Sequence, residues 1–386
     1  MIPYGRQDIR QEDVDAVVEV LRSDWLTQGP LVPQFENLVA GYAGAEYAVA
    51  ANSATSALHI ACLALNLGPG DWLWTCPNTF VASANCGLYC GASVDFVDID
   101  PQTYNMSVKS LREKLDAADK AGKLPKVVIP VHYAGQSCEM AEISALARQY
   151  GFKIIEDASH AIGGTYQGKR VGSGHYSDIT VFSFHPVKII TSGEGGMAVT
   201  NSRELASRMR RLRSHGLTSD QAEMHSRPEP EIWNYQQIGL GFNYRMTDIH
   251  AALGVSQFTR LEEYVARRHV IAERYDQALA GLPLTLPRQH EDTWSSYHLY
   301  PIRIRQADSG KTQRQVYEAC LAARVWVNIH YIPVHRQPYF EAMGFQAGYC
   351  PEAEEFHREA ISLPIFPRLT ETEQAYVIEV LKKALS

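Results

Sequence analysis

The stretch Ile179-Thr-Val-Phe-Ser-Phe-His-Pro-Val-Lys188 begins as a short apolar run and ends in a lysine. Thr191-Ser-Gly-Glu-Gly-Gly196 follows, so Lys188 is predicted to lie in a turn between a buried strand and a glycine-rich stretch. Such a turn partly desolvates the amine, which lowers its pKa and makes a neutral amine available to attack a carbonyl group. A surface lysine in a loop is the alternative, and the position of Lys188 alone does not exclude it.

Similar apolar runs recur through residues 1–250 and alternate with helical patterns. This alternation is typical of βαβ units around a mostly parallel sheet, with each strand buried on both faces. The predicted strands are residues 72–76, 94–97, 127–131, 153–157, 179–184 and 197–200, and the predicted helices include 56–67, 108–121 and 139–150.

The remainder of the chain predicts a connecting helix and a smaller domain. Residues 247 to about 280 have helical spacing throughout, and the proline-containing stretch 281–294 reads as a linker. Beyond it we expect an α+β domain, with a strand at 297–304, a helix at 311–323 and a second strand at 325–329. The predicted organisation is a large domain at 1–250 with an N-terminal arm at 1–30, a connection at 251–284 and a small domain at 285–386.

The composition of the chain disfavours several classes of protein. The chain has 386 residues, 45% hydrophobic and 20% charged, as in ordinary globular proteins. Its formal net charge of -7 disfavours binding to nucleic acid or to an anionic membrane surface. We find no signal pattern and no apolar run of about 18 residues, so we expect a cytoplasmic protein without a membrane span. The seven cysteines form no C-x-x-C pair, which favours reduced thiols over a metal site or a disulfide framework.

An acidic residue ends the hydrophobic run in Ile154-Ile-Glu-Asp157-Ala-Ser-His160. Ligands of open α/β sheets bind beyond the carboxyl ends of the strands, so Asp157 should point into that crevice. Its charge would keep a pyridinium ring protonated, so that the ring acts as an electron sink. An ordinary helix-capping or turn aspartate is an equal alternative, and His160 is compatible with a plain turn or core histidine.

Two further motifs predict contacts to a phosphorylated aromatic ligand. Ala51-Asn-Ser-Ala-Thr-Ser56 precedes a predicted helix, and free N–H groups at a helix start bind phosphate. Plain capping by Asn52 or Ser53 is the commoner role of such residues, and both roles are compatible. Phe80, in Pro77-Asn-Thr-Phe80, is placed to lie flat on an aromatic cofactor, although a core phenylalanine is the default interpretation.

The order of these motifs resembles the fold-type I pyridoxal-phosphate (PLP) enzymes. In detail, and over essentially the whole chain, the sequence is similar to the DegT/DnrJ/EryC1 family of sugar aminotransferases. The resemblance rests on Leu26-Thr-Gln-Gly29, Asn52-Ser-Ala-Thr-Ser-Ala57, Tyr133-Ala-Gly135, Ser159-His-Ala161, Val181-Phe-Ser-Phe-His185, Lys188, Glu194-Gly-Gly196, Arg213-Ser-His-Gly216 and His330-Tyr331. Asn-Ser-Ala-Thr-Ser replaces the Asn-Gly-Thr commoner in the wider family and favours the pseudaminic-acid branch. The fold implied is α/β, with a mostly parallel seven-stranded sheet.

The resemblance also implies roles for individual residues. Lys188 would hold PLP as a Schiff base and shuttle protons, while Asp157 would pair with the pyridine nitrogen and His160 would lie near the ring hydroxyl. Asn243 would reach the phosphate of the neighbouring subunit's cofactor, so the enzyme would be a homodimer with shared sites. The remaining residues implied to bind the cofactor are Ala54, Thr55, Phe80 and Ser183.

A second set of residues is implied to hold a nucleotide sugar. Without the family resemblance, Tyr4 would be interpreted as a packing tyrosine, residues 26–29 as a plain turn and residues 328–331 as part of a core strand. Arg170, Arg245 and Arg368 are unranked candidates for binding a donor carboxylate, and residues 221–235 form either a lid or a surface loop. The implied sugar-binding residues are Tyr4, Leu26, Thr27, Gln28, Gly29, Ser53, Asn328, Ile329, His330 and Tyr331.

The reaction implied is transfer of an amino group from L-glutamate to C4 of UDP-2-acetamido-2,6-dideoxy-β-L-arabino-hex-4-ulose. Relatives that dehydrate sugars carry histidine where this chain keeps Lys188. Transamination is therefore the expected activity. The alternatives are an aminotransferase for another UDP- or dTDP-linked keto sugar or for an amino acid, and a non-catalytic binding or regulatory protein with the same fold.

Overall fold

The computed structural model describes residues 1–225 and 234–386. The helices are α1 Gln11–Arg22, α2 Leu31–Ala43, α3 Ala54–Ala64, α4 Ala82–Tyr89, α5 Val108–Ala121, α6 Met140–Tyr150, α7 Arg203–Arg213, α8 Asp248–Phe258, α9 Leu261–Leu279, α10 Gln306–Ser309, α11 Gln313–Ala322, α12 Pro338–Glu341, α13 Pro351–Glu359 and α14 Glu371–Leu385. The strands are β1 Tyr47–Ala51, β2 Trp72–Thr75, β3 Ser93–Phe96, β4 Val127–Ile129, β5 Lys153–Asp157, β6 Thr165–Tyr166, β7 Lys169–Arg170, β8 Ile179–Ser183, β9 Gly196–Thr200, β10 Leu217–Thr218, β11 Gln236–Gln237, β12 Leu284–Thr285, β13 Thr293–Trp294, β14 Tyr300–Ile304 and β15 Ala360–Leu363.

The main sheet runs in the order β1-β9-β8-β5-β4-β2-β3 within the described part of the chain. The neighbours from β8 to β3 pair in parallel, whereas β9 is antiparallel to both β1 and β8. This arrangement confirms the predicted α/β fold with a mostly parallel sheet of seven strands.

Strand β8 shows why the sheet is buried on both faces. Successive side chains of a strand point to opposite faces. Ile179 and Val181 pack into the core cluster formed with helices α3 to α6, whereas Phe182 and the following Phe184 pack into the cluster formed with α2, α8 and α9. Helices cover both faces, so the strand is a nearly continuous apolar run.

The predicted single helix over residues 247–280 is wrong, because the chain forms α8 and α9 with a break at Thr259 and Arg260. The Thr259 hydroxyl donates to the carbonyl of Ser256 at 2.7 Å. The guanidinium of Arg260 turns instead towards α1, where it contacts both carboxylate oxygens of Asp13 at 2.5 and 2.6 Å. This ion pair, largely buried, favours a kinked connection over a continuous helix.

The strand predicted at residues 325–329 is also wrong. Val325 forms an isolated bridge with Ile2, and Asn328 forms another with Ser362. Val325 thus pairs with the N-terminal arm and Asn328 pairs with β15, so the segment does not hydrogen-bond continuously to one neighbouring strand. The small sheet instead has the order β12-β14-β15. The predicted domain boundaries near 250 and 285 stay a prediction.

Two further expectations concern the state of the cysteines and the absence of a membrane-spanning helix. All seven cysteines are free and buried. None of the described helices combines the length and the apolar character needed to cross a bilayer.

Candidate active site

A cavity of about 750 Å³ opens where the parallel strands end. Its wall combines the ends of β5 and β8, the start of α3, the loop after β2 and residues 328–331. The cavity brings together most of the predicted site residues, namely Tyr4, Ser53, Ala54, Thr55, Phe80, Asp157, His160, Ser183, Lys188, Asn328, Ile329, His330 and Tyr331.

Asp157 is the last residue of β5, and its carboxylate is fixed by two hydrogen bonds. The Ser83 hydroxyl donates to Oδ2 at 2.6 Å, and the backbone N–H of Ser159 donates to Oδ1 at 3.1 Å. Ser83 is itself 2.8 Å from the Thr79 hydroxyl, in the loop after β2. The carboxylate is buried but borders the cavity, so it is available to a ligand cation there.

Lys188 follows β8 in a tight turn in which its backbone N–H donates to the carbonyl of His185 at 2.9 Å. Protein atoms surround the amine on most sides even though it borders the cavity. This burial lowers the pKa of Lys188 to about 8, and the nearby charge of Asp157 partly opposes the shift. At pH 7 about a tenth of the amine is therefore neutral, far more than for an ordinary lysine, and the neutral form is the nucleophile.

The start of α3 provides the anion-binding corner of the cavity. Ser53 caps the helix by accepting from the N–H of Ser56 at 3.1 Å, and Ala54 and Thr55 begin the first turn. Gly196 packs so closely that a Cβ there would lie 2.4 Å from the Ser53 carbonyl oxygen and 2.5 Å from the Ala54 nitrogen. Only glycine lets β9 approach the helix end at this distance.

Histidine and tyrosine side chains form the opposite wall. His160 Nε2 lies 3.2 Å from the Tyr331 hydroxyl, and burial beside Lys188 lowers the pKa of His160 well below its usual value. His330 Nδ1 is 2.9 Å from the Ser362 hydroxyl, and burial lowers its pKa to about 3. Both rings are therefore neutral at neutral pH.

Five predicted residues lie outside this cavity in the single chain. Thr27 forms an isolated antiparallel β-bridge with Thr247, and Asn243 forms another with Ser214. The backbone N–H of Gly29 donates to Asp248 Oδ2 at 2.7 Å. Leu26, Thr27, Gln28 and Asn243 are exposed. The 26–29 turn and the 243–248 segment thus lie side by side on the molecular surface.

The candidate carboxylate-binding arginines do not line the cavity either. Arg170 pairs with Glu262 at 2.5 Å, and Arg368 pairs with Asp8 at 2.6 Å, so both are engaged elsewhere. Arg245 lies in the surface segment next to Asn243. The choice between lid and loop for residues 221–235 depends largely on 226–233, which lie outside the described residues.

The cavity also contains residues that sequence reasoning did not assign. His185 and Glu194 face each other at 4.0 Å, and Thr79, Ser159 and His298 border the same space. The signal for His185 and Glu194 was present, because both fall within the motifs around Lys188. His298 was hidden inside a predicted strand.

Comparison with known proteins identifies the family of this chain over nearly its whole length. The DegT/DnrJ/EryC1/StrS aminotransferase family matches residues 7–382. The spore coat polysaccharide biosynthesis protein SpsC of Bacillus subtilis is 36% identical over 384 residues, which cover 99% of this chain and 96% of SpsC.

Solved structures agree in fold over the full length. Helicobacter pylori PseC, an aminotransferase involved in the biosynthesis of pseudoaminic acid, superimposes with a TM-score of 0.89 at 30% identity, covering 100% of this chain and 99% of PseC. The PLP form of Spr1654 from Streptococcus pneumoniae gives a TM-score of 0.88 at 29% identity, covering 100% of this chain and 98% of Spr1654.

The cavity fits the cofactor of that family. It presents an amine of lowered pKa, a buried carboxylate and a helix N-terminus to one space, and these match the aldehyde, the pyridine nitrogen and the phosphate of PLP. PLP is therefore the cofactor, and the fold is that of the type I PLP enzymes. The chain belongs to the DegT/DnrJ/EryC1/StrS family of sugar aminotransferases.

Proposed function

We propose that the enzyme transfers an amino group from L-glutamate to C4 of UDP-2-acetamido-2,6-dideoxy-β-L-arabino-hex-4-ulose. The product would be UDP-4-amino-4,6-dideoxy-N-acetyl-β-L-altrosamine, an intermediate of pseudaminic acid synthesis. The observation that carries the amine transfer is the convergence of Lys188, Asp157 and the α3 N-terminus on one cavity. The likeness to PseC and the Asn52-Ser-Ala-Thr-Ser56 motif support the choice of sugar.

Lys188 would perform two tasks in this reaction. Its neutral amine would bind the cofactor aldehyde, and after displacement by the substrate amine it would carry a proton at the substrate carbon. When bound, PLP supplies an electron sink for the carbanion that this proton removal creates. Lowering the pKa of the amine to about 8 makes it able both to take up and to release a proton near neutral pH.

The other cavity residues would hold the cofactor in register with Lys188. Asp157, fixed by Ser83 and Ser159, would face the pyridine nitrogen and keep it protonated. The neutral imidazole of His160 would lie near the ring hydroxyl. The N–H groups at Ala54 and Thr55, with the Ser183 hydroxyl, would receive the phosphate, and the exposed Phe80 would cover the ring.

The nucleotide sugar would occupy the outer part of the cavity. Tyr4 and the 328–331 segment line this region, and the rings of Tyr4 and His330 meet at 5.2 Å. These groups would orient the 4-keto carbon towards Lys188, and such positioning supplies much of an enzyme's rate enhancement.

A homodimer would complete each site. Asn243 and the Leu26–Gly29 turn lie outside their own cavity and together on an exposed face, which supports the assignment of Asn243 to the partner's site and extends it to the turn. Large apolar side chains accompany them, since Trp25 and Leu26 are exposed and Leu240 is 81% exposed. Such an apolar face is typical of a subunit contact.

Replacing Lys188 with alanine tests the catalytic assignment. Lys188→Ala should lower turnover at least about 10²–10⁴-fold, because it removes the positioned base, and should abolish the yellow colour of lysine-linked PLP. Absorbance spectra and coupled glutamate assays provide the measurement. Lys169→Ala, at an exposed lysine, is the matched control. Retained turnover in Lys188→Ala would end the assignment.

A substrate panel tests the choice of sugar. The wild-type enzyme, loaded with PLP, would be incubated with L-glutamate and UDP- or dTDP-linked 4- or 3-keto sugars, and products would be identified by mass. We expect the proposed UDP-sugar to give the highest kcat/KM. A higher kcat/KM for a dTDP-sugar or for a keto acid would contradict it. A protein that stays colourless with added PLP would revive a non-catalytic role.

A further inference from the structure

His298 borders the cavity, and the proposed mechanism leaves it without a role. It lies in the loop just before β14 and is only 5% exposed. Its ring centroid is 4.3 Å from that of His160. The Nδ1 atoms of His298 and of His160 are buried and have no hydrogen-bond partner among the described residues. A buried polar atom without a partner costs free energy, and because Nδ1 of His298 is enclosed, a ligand in the cavity would meet the edge of the ring that carries Nε2.

The backbone around His298 is fixed by a buried cation. The guanidinium of Arg268 donates to the carbonyls of Tyr297 at 3.1 Å, His298 at 3.2 Å and Ile365 at 2.9 Å. Burial lowers the pKa of Arg268 to about 9, which reflects the cost of enclosing its charge. Tyr297 also has a φ of 47°, a left-handed conformation that is strained for a tyrosine.

The same segment is held from the large-domain side. Ser296 donates from its hydroxyl to the carbonyl of His160 at 2.6 Å and from its N–H to the carbonyl of Gly135 at 3.1 Å. Gly135 has a φ of 106°, and a Cβ there would lie 2.6 Å from the Ser296 hydroxyl. Buried charge, strain and close packing thus all fix the position of one imidazole in the cavity wall.

The chemistry of that imidazole limits its ligand. Burial, followed by the neighbouring His160 and Lys188, lowers the pKa of His298 well below its usual value. The ring is therefore neutral, with one donor and one acceptor nitrogen. Phosphate and carboxylate groups favour cationic partners, whereas a hydroxyl or an amide can both accept from and donate to a neutral imidazole.

We infer that His298 determines acceptor specificity by hydrogen-bonding an uncharged polar group of the sugar ring, either a hydroxyl or the acetamido group. This inference rests on the proposed function, because it presupposes a sugar acceptor in the cavity. His298 therefore serves the half-reaction that aminates the sugar and not the half-reaction that consumes L-glutamate.

Two substitutions test the assignment in the PLP-loaded full-length enzyme. His298→Phe keeps a flat ring but removes both nitrogens, and His298→Asn restores one donor and one acceptor. For His298→Phe we expect kcat/KM for the UDP-4-keto sugar to fall about 10-fold or more, as for a lost hydrogen bond, while the glutamate half-reaction stays within about 2-fold. The glutamate half-reaction is followed by the bleaching of the yellow colour. His298→Asn should recover part of the loss.

Stability separates this role from simple packing. His298→Phe should unfold at the same temperature as wild type or higher, because it removes a buried polar group without a partner. His269→Phe is the matched control, since His269 supports the same segment through the Ser295 carbonyl at 2.6 Å but does not line the cavity. It should lower the unfolding temperature and leave kcat/KM for the sugar unchanged.

The possible failures are distinguishable. If wild type aminates the sugar but His298→Phe does so equally well, or if both half-reactions fall together, the inference is wrong and the proposed function stands. If His269→Phe lowers kcat/KM for the sugar as much as His298→Phe does, the inference is likewise wrong and the proposed function stands. If wild type aminates no UDP-linked keto sugar, the proposed function fails and the inference fails with it.

Discussion

Asp157 depends on its neighbours for its orientation. The carboxylate receives one hydrogen bond from Ser83 and one from Ser159, and Ser83 is in turn in contact with Thr79. A carboxylate held in this way loses little freedom when a ring nitrogen meets it. Ser83, which touches neither cofactor nor substrate in the proposed site, is therefore a positioning residue for Asp157.

Replacing Ser83 tests this dependence. Ser83→Ala should weaken PLP binding about 5- to 10-fold, because one of the two hydrogen bonds that orient Asp157 is lost, and should shift the visible absorbance of the bound cofactor. Equilibrium dialysis and absorbance spectra measure both effects. Ser83→Thr should restore them, whereas Ser144→Ala, at a buried serine away from the cavity, should change neither. Unaltered affinity and spectrum in Ser83→Ala would show that Ser159 suffices.

The pKa of Lys188 predicts a pH profile for cofactor uptake. Only the neutral amine attacks the aldehyde, so the rate of PLP attachment to cofactor-free enzyme should rise with pH and level off above about 8. Asp157→Asn removes the opposite charge that raises this pKa, so its profile should shift to lower pH. Stopped-flow absorbance provides the rates. A midpoint near the 10.5 of an ordinary lysine would contradict the desolvated environment.

The residues of the site were predictable to different degrees, for physical reasons. Asp157 ends one apolar strand and Lys188 follows another, and parallel strands end at one edge, so the pattern predicts that the two side chains lie near each other. His298 carries no such signal, because it enters the cavity through a strained turn at Tyr297 that depends on the distant Arg268. Contacts of this kind are set by tertiary packing and leave no local trace in the sequence.

At the scale of elements, the patterns located most strands of the main sheet, but they predicted a strand at 325–329 that does not form and missed the break within a predicted helix. The predicted boundaries of β5 and α5 coincide with those observed, because a strand ending in aspartate and a helix ending before glycine carry their own stop signals. The break between α8 and α9 was missed, because it depends on the pairing of Arg260 with Asp13 on another helix.

The contact between β9 and α3 gives the prediction at this scale. Gly196→Ala would place a Cβ against the backbone of Ser53 and Ala54, where no flexible side chain can yield. We expect a loss of about 1–3 kcal/mol in the free energy of unfolding, together with weaker PLP binding, as the helix end is displaced. Denaturant unfolding and dialysis provide the measurements.

Gly41→Ala is the matched control for this substitution. Gly41 lies within α2, and a Cβ there would meet nothing within 4 Å. Because alanine is the better helix former, Gly41→Ala should raise the free energy of unfolding by up to about 1 kcal/mol and leave PLP binding unchanged. Equal behaviour of the two variants would show that the close approach of β9 to α3 has no role in binding PLP.

For the whole molecule, the exposed face proposed as the dimer contact lies beside the α3 end of the cavity. The Asn243 segment contacts the residues that lead into α3, since the Asn52 N–H donates to the carbonyl of Tyr244 at 2.8 Å. His59 in α3 contacts the rings of Tyr89, Phe242 and Tyr244. This exposed face is therefore continuous with the helix end that borders the cavity.

Subunit mixing tests whether sites are shared. Lys188→Ala and Asn243→Asp should each be nearly inactive, the second because its new charge repels the phosphate of the partner's cofactor. Refolded together in equal amounts, they should regain about a quarter of wild-type activity, because half the dimers are mixed and each has one intact site. Activity that stays at the level of the separate variants would show that Asn243 serves its own chain.

The burial of every cysteine makes site-directed labelling practical. A maleimide dye needs an accessible thiolate, and burial raises the pKa of the thiols of Cys76 and Cys138 and keeps them protonated. Cys90 is the native thiol to replace first, because the neighbouring Cys62 and His59 side chains lower the pKa of its thiol. A single cysteine introduced at the exposed Lys169 would then carry one fluorophore per chain. Energy transfer between donor- and acceptor-labelled preparations would report how fast chains exchange.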